Sequence, residues 1–481
     1  DRLLVVTFTK AAAAEMRERI SQAILKRLNE DGGNEHLQRQ AAIIHNAQIT
    51  TIDSFCLFVL RNNFEDIGLD PAFRIADEGE VELLSQDVMR EMLEEHFAAG
   101  EERFFHTIEY FCPSGRESVL ESHILQLYRY ALSYPFPEKW LRERKKDYVY
   151  ETVEDIAASD AGVFLFGHLQ KLLAGVAEEL KRAESICEEP DGPYMYGEVL
   201  EQEREAIEKI ARAENLVRLS ELLPAFMPGK FPGKKDDSVS TEKREQVKNL
   251  HDKIKNMVKK MQTSYFNLPF ETVFRQAKTA AEAVESLVDL SLEFMERLKV
   301  KKTDKKLLDF SDMEHYALQI LVEEDEEGNM VPTKTALEYR DYFEEVLIDE
   351  YQDSNLVQEY LLKAVAREED GKKNRFMVGD VKQSIYKFRL ARPELFLEKY
   401  VTYSLTDGEN RKIDLHKNFR SRNEVIDTVN DVFSKIMQKE LGGIVYDEEA
   451  ALYAGAVYPE NPGCERELLL IEKPEEEVGM G

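Results

Sequence analysis

The sequence predicts an α/β fold, in which a domain built on a parallel sheet is interrupted by a long helical region. Short apolar runs near both ends of the chain, residues 3–8, 346–348 and 375–378, each lead into polar residues. Such runs are typical of buried parallel strands, which lie between helices in α/β proteins. Residues 70–300, in contrast, contain few alternating β-branched segments and are predicted to be almost entirely helical.

The elements follow in order along the chain. Residues 3–8 are predicted to form a strand, and the next helix places Met16, Ile20, Ile24 and Leu28 on one face at four-residue spacing. Within the helical region, Asp77 with Glu80 three residues later predicts a helix start with a capping box. Residues 224–241 are rich in Pro, Gly, Lys, Asp and Ser and predict a loop. The α/β pattern returns at residue 307, and a further α/β unit begins near residue 412.

Composition favours a cytoplasmic protein with a substantial core. The chain has 481 residues, enough for two or three domains, and 43% of them are hydrophobic. No apolar stretch approaches the roughly 20 residues that a membrane span needs, so we expect no membrane association. The four cysteines are widely separated, at positions 56, 112, 187 and 464, and none forms a Cys-x-x-Cys pair. Reduced, buried thiols are therefore expected rather than disulfides or metal ligands.

The charge is unevenly distributed. A net charge of −30 is unusual for a DNA-binding protein. Residues 372–422, however, carry 13 Lys and Arg against 6 Asp and Glu, and residues 230–260 carry 10 against 5. The acidic remainder is explained either by solvated helix faces or by an acidic flank that repels DNA from all but a narrow track. The sequence leaves both explanations open.

Residues 347–353 read Leu-Ile-Asp-Glu-Tyr-Gln-Asp and predict a phosphoryl-transfer site. The apolar lead-in predicts a strand that carries Asp349 and Glu350 at its carboxyl end, where ligands bind in open α/β sheets. Phosphoryl transfer needs a carboxylate to hold Mg²⁺ against the phosphates and a group to orient water. The alternative is an acidic loop after a core strand.

Four more segments accompany this septet. Residues 4–20 begin Leu-Val-Val-Thr-Phe-Thr-Lys and continue through four alanines, and residues 49–56 read Ile-Thr-Thr-Ile-Asp-Ser-Phe-Cys. Residues 375–391 contain Gly-Asp-Val-Lys-Gln-Ser-Ile-Tyr-Lys-Phe-Arg-Leu-Ala, and residues 415–422 read Leu-His-Lys-Asn-Phe-Arg-Ser-Arg. In this order the segments resemble motifs Ia, Ic, II, III and IV of the UvrD-like helicases of superfamily one. The alanines after Lys10, Asp53 in motif Ic and Leu390 in motif III are similar to the AddA (RexA) family of helicase-nuclease subunits.

The resemblance implies a P-loop NTPase (RecA-like) motor core. Residues 1–66 and 307–410 would form motor domain one, residues 67–306 an α-helical accessory insertion, and residues 411–481 the start of motor domain two. No Gly-x-x-x-x-Gly-Lys-Ser/Thr segment occurs, because none of the three Gly-Lys pairs is followed by Ser or Thr. We therefore expect a fragment that begins after the P-loop, ends before motifs V and VI and the nuclease domain, and is inactive alone as an ATPase.

The resemblance also implies an ATP and Mg²⁺ site. Asp349 would hold Mg²⁺, with Glu350 beside it polarising the hydrolytic water. Gln383 would sense the γ-phosphate, and Arg420 would reach the nucleotide from the second motor domain to stabilise transition-state charge. The alternatives are a surface polar role for Gln383 and an ordinary salt bridge for Arg420.

Single-stranded DNA contacts are expected from motifs Ia, Ic and III. Aromatic residues alternate with cations at residues 386–389, and such interleaving suits stacking on bases and pairing with phosphates. The complete set of expected contacts is Phe8, Thr9, Lys10, Ser54, Phe55, Tyr386, Phe388 and Arg389. Packing in the core is the alternative for Phe8 and for the aromatic residues of motif III. Residues 309–312, Asp-Phe-Ser-Asp, are interpreted as structural support.

The function implied is that of a helicase and exonuclease subunit that translocates on single-stranded DNA and unwinds double-stranded DNA ends for recombinational repair. It would form a heterodimer with an AddB/RexB-like partner subunit. One alternative is a catalytically silent scaffold, against which the intact residues Asp349, Glu350, Gln383 and Arg420 argue. The other is an unrelated acidic helical protein in which the motifs are accidental, and this alternative does not account for five motifs in order.

Overall fold

The computed structural model describes residues 2–234, 236–369, 371–406, 408–439, 443–459, 467 and 469. The chain divides into two compact units, the first formed by residues 1–75 and 308–481 and the second by residues 76–307. Assignment of these segments to motor domains one and two stays a prediction. No helix in the described residues is long and apolar enough to cross a membrane.

The first segment of the first unit alternates strands and helices. Thr9 caps the first helix by accepting a hydrogen bond from the backbone N–H of Ala12, at 3.1 Å. Met16 and Ile20 of that helix pack against the buried sheet residues Val5 and Ile49. This packing confirms the predicted helical face for Met16 and Ile20, and Ile24 and Leu28 further along the helix are partly buried. The elements are β1 (Leu3–Thr7), α1 (Lys10–Glu30), α2 (Glu35–Ile43), β2 (Gln48–Thr51), α3 (Ile52–Asn63) and β3 (Arg74–Ile75).

The second unit is helical, as predicted for this region. Asp77 caps its first helix by accepting from the N–H of Glu80 at 2.8 Å, which confirms the predicted start. Its helices are α4 (Glu78–Ala99), α5 (Glu102–Phe111), α6 (Ser118–Ala131), α7 (Pro137–Arg144), α8 (Val153–Ala158), α9 (Asp160–Cys187), α10 (Gly197–Ala211), α11 (Leu216–Ala225), α12 (Thr241–Tyr265) and α13 (Phe270–Asp304). The described residues between α11 and α12 contain no helix or strand, which confirms most of the predicted loop, although Pro224 lies within α11 and Thr241 begins α12.

Apolar cores between neighbouring helices stabilise the helical unit. Helices α9 to α12 bury one of them, centred on residues such as Leu173, Ile207 and Val258. Helices α4, α5, α6 and α13 bury another, in which Met92, Ile124 and Phe294 are inaccessible to solvent. Burying aliphatic side chains at helical spacing is the main source of stability for such bundles.

The chain returns to strands and helices from residue 307. The elements are β4 (Leu307–Leu308), α14 (Phe310–Leu321), β5 (Val322–Glu324), β6 (Met330–Pro332), α15 (Lys334–Tyr342), β7 (Glu345–Ile348), α16 (Leu356–Val365), β8 (Arg375–Met377), α17 (Pro393–Thr402), β9 (Lys417–Asn418), α18 (Asn423–Ile436) and β10 (Tyr453–Ala454). Capping boxes at Asp309 and Asn355 start α14 and α16. Residues 309–312 thus begin α14, and their interpretation as structural support stays a prediction.

A parallel sheet organises the first unit, in the order β2–β1–β7–β8. The strands β1 and β7 pair directly, although about 340 residues separate them along the chain. Because parallel strands end at the same edge, motifs Ia, II and III all leave the sheet on one side. The sheet packs on α3, α14 and α16 through a core that includes Phe55, Phe343 and Val346.

The thiols agree with the reduced state that the sequence predicts. Cys56, Cys112 and Cys187 are buried and form no disulfide. Burial raises the pKa of the Cys187 thiol to about 11, and the nearby Glu184 and Glu188 add to that shift. Cys464 lies outside the described residues.

Candidate functional site

The carboxyl ends of β1 and β7 bring Thr7 and Asp349 together. The backbone N–H of Asp349 donates to the carbonyl of Val6 at 2.9 Å, and the Thr7 hydroxyl lies 3.5 Å from Asp349 Oδ2. Burial raises the pKa of the Asp349 carboxyl, and the neighbouring Glu350 charge raises it further. The site therefore concentrates negative charge, which a divalent cation would neutralise.

Glu350 follows in a left-handed backbone conformation, with φ of 52°. Residues other than glycine rarely adopt this conformation, and it costs about 1 kcal/mol or more. The carboxylate of Glu350 is exposed but held, because Gln352 Nε2 donates to Glu350 Oε2 at 2.8 Å. The division between metal holding by Asp349 and water activation by Glu350 stays a prediction.

Gln383 lies on the loop after the neighbouring strand β8. Its side-chain amide donates to Asp380 Oδ2 at 2.9 Å, and Lys382 Nζ lies 2.9 Å from Asp380 Oδ1. Burial opposes ionisation of Asp380, but Gln383 and Lys382 outweigh it and hold the pKa of that carboxyl below its ordinary value. The carboxylate of Asp380 thus orients the predicted phosphate sensor.

A cavity of about 390 Å³ opens at this sheet edge, within the first unit. Its lining combines three predicted groups of residues: the end of motif Ia, the Asp349–Glu350 pair, and the aromatic and cationic residues of motif III. The side chains that carry the argument are Phe8, Asp349, Glu350, Asp353, Tyr386 and Arg389. Residues far apart in sequence, whose predicted roles differ, therefore share one cavity.

The aromatic residues form one cluster at the cavity. The rings of Phe8 and Tyr386 stack with centroids 4.8 Å apart, and the Phe388 ring lies 5.9 Å from that of Tyr386. The Arg389 guanidinium lies over both motif III rings, at 5.4 and 5.8 Å. Phe388 is 76% exposed and sits on a 3₁₀ turn. The alternative of an aromatic core strand is therefore excluded for Phe388.

The other predicted DNA contacts differ in their exposure to solvent. Thr9 and Lys10 are exposed at the start of α1, and the Ser54 hydroxyl lies 3.0 Å from that of Thr51. Phe55 is fully buried and packs edge-on against Phe343. The prediction that the Phe55 ring contacts DNA is therefore wrong, because a ring enclosed in the core presents no face to a base.

Arg420 is exposed beside β9, where its backbone N–H donates to Asn418 Oδ1 at 2.9 Å. Neither Arg420 nor Gln383 is among the described residues that line the cavity. The sheet thus brings together Asp349, Glu350 and the aromatic cluster, links Gln383 through Asp380, and leaves Arg420 outside that assembly.

Sequence reasoning missed several carboxyl and amide groups of the site. Glu314 is buried and accepts from Gln358 Nε2 at 2.7 Å, and burial raises its pKa with a further contribution from Asp53. Burial likewise raises the pKa of Asp353, and the Glu350 charge adds to it. Asp53, Gln352 and Asp353 lie within the predicted motif segments, but the predicted roles went to the residues beside them. No local signal indicated Glu314, since α14 is an ordinary amphipathic helix in sequence.

The residues present fit a magnesium ion held mainly through water. No group of three or more His, Cys, Asp or Glu in the described part of the chain could hold a metal by itself. Mg²⁺, however, keeps several waters and is usually bound through one or two carboxylates and the substrate phosphates. Asp349 and its neighbour Glu350 supply that type and number of oxygen ligands.

Comparison with known proteins gives a consistent result. Residues 1–404 match the UvrD/REP helicase N-terminal domain. A protein of Lachnoclostridium phytofermentans described as an ATP-dependent helicase/nuclease subunit is 44% identical over all of this chain, which covers 36% of that protein. Proteins with the same description from Clostridium perfringens and Bacillus pumilus are 42% and 39% identical over 96% and 100% of the chain, which covers 36% and 39% of their length. The chain thus spans about a third of the length of the curated relatives it matches.

Proposed function

Because this chain belongs to the UvrD/REP helicase family, we propose that it forms part of an ATP-driven motor that moves along single-stranded DNA. The observation that carries the proposal is the shared cavity. Carboxylates suited to phosphoryl transfer and aromatic residues suited to stacking on bases meet at one edge of a parallel sheet. Nucleotide binding at the carboxylates can therefore alter the geometry of the aromatic residues, because both groups line the same cavity.

On the nucleotide side, Asp349 and Glu350 divide the work. A bound Mg²⁺ would polarise the phosphates and neutralise charge as it develops. The Asp349 carboxylate would hold the hydrated ion, and its hydrogen-bonding distance to Thr7 ties it to the end of β1. Glu350, whose carboxylate accepts a hydrogen bond from Gln352, would orient the attacking water. Gln383 would respond to the terminal phosphate, and Arg420 would need a change of position to take part.

On the DNA side, the aromatic cluster would receive bases and Arg389 a phosphate. Phe388 and Phe8 offer exposed ring surface, whereas Tyr386 bridges them and reaches the cavity. Stacking on such rings is insensitive to base identity, which suits a protein that tracks along any sequence. The excess of Lys and Arg in residues 372–422 supplies the attraction for the backbone.

The description shared by the relatives supports a wider role. We propose that the complete protein is a helicase and exonuclease subunit that unwinds double-stranded DNA ends for recombinational repair, together with an AddB/RexB-like partner subunit in the cytoplasm. A catalytically silent scaffold is the second candidate. The orienting contacts to Glu350 and Gln383 favour the motor, since a silent protein has no need to hold these side chains.

The test is ATP hydrolysis by a protein that carries this chain together with a phosphate-binding loop. Glu350→Gln should abolish DNA-stimulated turnover while nucleotide binding stays close to that of the wild type, because the change removes the base and keeps size and polarity. Glu345→Gln, at the exposed start of the same strand, is the matched control and should hydrolyse ATP normally. Turnover by Glu350→Gln at the wild-type rate would contradict the motor mechanism. An inactive wild-type protein would favour the scaffold.

A further inference from the structure

Gln352 occupies an unusual position for a polar side chain. It is only 1% exposed, and both ends of its amide are engaged. Nε2 donates to Glu350 Oε2 at 2.8 Å and lies 3.5 Å from Asp353 Oδ2, while Oε1 accepts from the backbone N–H of Asp380 at 3.0 Å. One buried amide therefore joins the loop after β7 to the loop after β8.

The two loops approach closely enough to dictate the residue at position 379. A Cβ atom at Gly379 would lie 2.5 Å from Gln352 Oε1 and 3.3 Å from the backbone nitrogens of Tyr351 and Gln352. Backbone pairing continues here as well, because the Tyr351 N–H donates to the carbonyl of Val378 at 2.9 Å. Gly379 thus leaves the space that the Gln352 amide fills.

The amide also stands between two parts of the catalytic arrangement. On one side it holds the carboxylate of Glu350, whose left-handed backbone stores strain. On the other it fixes the backbone of Asp380, whose carboxylate accepts from Gln383 Nε2 at 2.9 Å. A continuous hydrogen-bonded path of four residues therefore runs from Glu350 through Gln352 and Asp380 to Gln383.

We propose that Gln352 is a positioning residue for ATP hydrolysis, which orients the Glu350 carboxylate and links it to the Gln383 loop. The inference rests on the proposed motor function. An amide suits this position because the site needs a donor toward Glu350 and an acceptor toward Asp380 at the same time. A movement of Gln383 on binding or release of phosphate would pass through Asp380 and Gln352 to the carboxylate that orients water.

Three substitutions separate positioning from simple stability. Gln352→Met keeps the length of the side chain and removes both hydrogen bonds. Gln352→Glu keeps the acceptor and places a second carboxyl beside Glu350. Asn374→Leu is the control, because Asn374 is a similarly buried amide that bonds backbone groups of Phe343 and Glu344, at the opposite end of β7 and β8.

The first measurement is steady-state hydrolysis against pH in a protein that carries this chain with a phosphate-binding loop. Gln352→Met should lower kcat about ten-fold to a hundred-fold with little change in KM, as expected when a reacting group is misplaced by about 1 Å. Gln352→Glu should move the acid limb of the rate profile to higher pH, because two adjacent carboxyls resist ionisation together. Asn374→Leu should lose stability and leave the shape of the profile unchanged. If Gln352→Met keeps a kcat within two-fold of the wild type while Glu350→Gln is inactive, the positioning role of Gln352 is overturned and the motor function stands.

The second measurement needs no nucleotide and uses the 481-residue chain. Gln352→Met and Glu350→Ala should combine non-additively in the unfolding equilibrium constant, by roughly five-fold, because each removes the same hydrogen bond. Additivity within two-fold would mean that Gln352 does not hold Glu350, whatever the chain does with ATP. Failure of the motor function would instead appear as turnover by Glu350→Gln or as an inactive wild type.

Discussion

Phe388→Ala offers the cleanest separation between DNA binding and folding. The ring is 76% exposed on a 3₁₀ turn, and its ring contacts are with Tyr386 and the Arg389 guanidinium. Removing it buries no new polar group and leaves no cavity. The free energy of unfolding should therefore change by no more than about 0.5 kcal/mol.

The expected loss of DNA affinity is much larger. Stacking of one base on an aromatic side chain contributes about 1–3 kcal/mol. At 25 °C this range corresponds to a dissociation constant for single-stranded DNA that rises about five-fold to 150-fold. Tyr386→Ala should have an effect of similar size on binding, but it also removes the stack with Phe8, so its effect on stability is larger.

The assay is fluorescence anisotropy with labelled oligonucleotides of several base compositions at one fixed salt concentration, because the phosphate contribution varies with salt. Phe164→Ala is the matched control, since Phe164 is 77% exposed on α9 in the helical unit. It should bind DNA like the wild type. The loss in Phe388→Ala should be similar for all base compositions, as expected for stacking.

A folded Phe388→Ala protein that binds every oligonucleotide with wild-type affinity would refute the reasoning. DNA would then have to follow a different track, with Phe8 and Lys10 as the next residues to test. Early unfolding of Phe388→Ala, with binding lost in proportion, would contradict the exposed position of the ring.

Three further predictions concern hydrolysis and stability. The isolated 481-residue chain should release negligible phosphate from ATP, because it contains no Gly-x-x-x-x-Gly-Lys-Ser/Thr segment to hold the phosphates, and robust DNA-stimulated release would contradict this. Glu359→Gln should lower the free energy of unfolding by about 3–5 kcal/mol at pH 7, because it leaves the cations of Arg375 and Lys399 without their buried carboxylate. Glu368 is a more exposed partner of Arg375, so Glu368→Gln should lower the free energy of unfolding by about 1 kcal/mol or less. Burial opposes ionisation of Glu359, but the two cations outweigh this effect and lower the pKa of the carboxyl from its ordinary 4.5. The stabilisation is therefore present above pH 4.5 and is lost as the pH falls through the lowered pKa. Denaturant titrations at several pH values should show that the stability difference between Glu359→Gln and the wild type shrinks in acid. Phe55→Ala should cost about 3–5 kcal/mol of stability, and DNA affinity corrected for the folded fraction should stay unchanged, which a direct DNA contact would not allow.

The sequence by itself determined the local structure and the identity of the motif residues. The four-residue spacing from Met16 predicts the α1 face, and Asp77 predicts the start of α4, because period and cap depend only on residues within one or two turns. The apolar run before Asp349 likewise predicts a strand that ends in a pair of carboxylates. The interactions behind these patterns involve residues close in sequence, so no distant part of the chain is needed to predict them.

Only the tertiary structure decided which of these residues meet. Pairing of β1 with β7 joins residues about 340 positions apart and brings Phe8 to Tyr386, and no local pattern encodes that register. The same packing encloses Phe55, whose neighbours in sequence suggested a surface role. It also places the Gln352 amide between two loops, a contact that depends on the backbone approach at Gly379. Long-range pairing depends on the sum of many weak contacts in the core. The residues of the site can therefore be recognised from the sequence, whereas their contacts follow only from the tertiary structure.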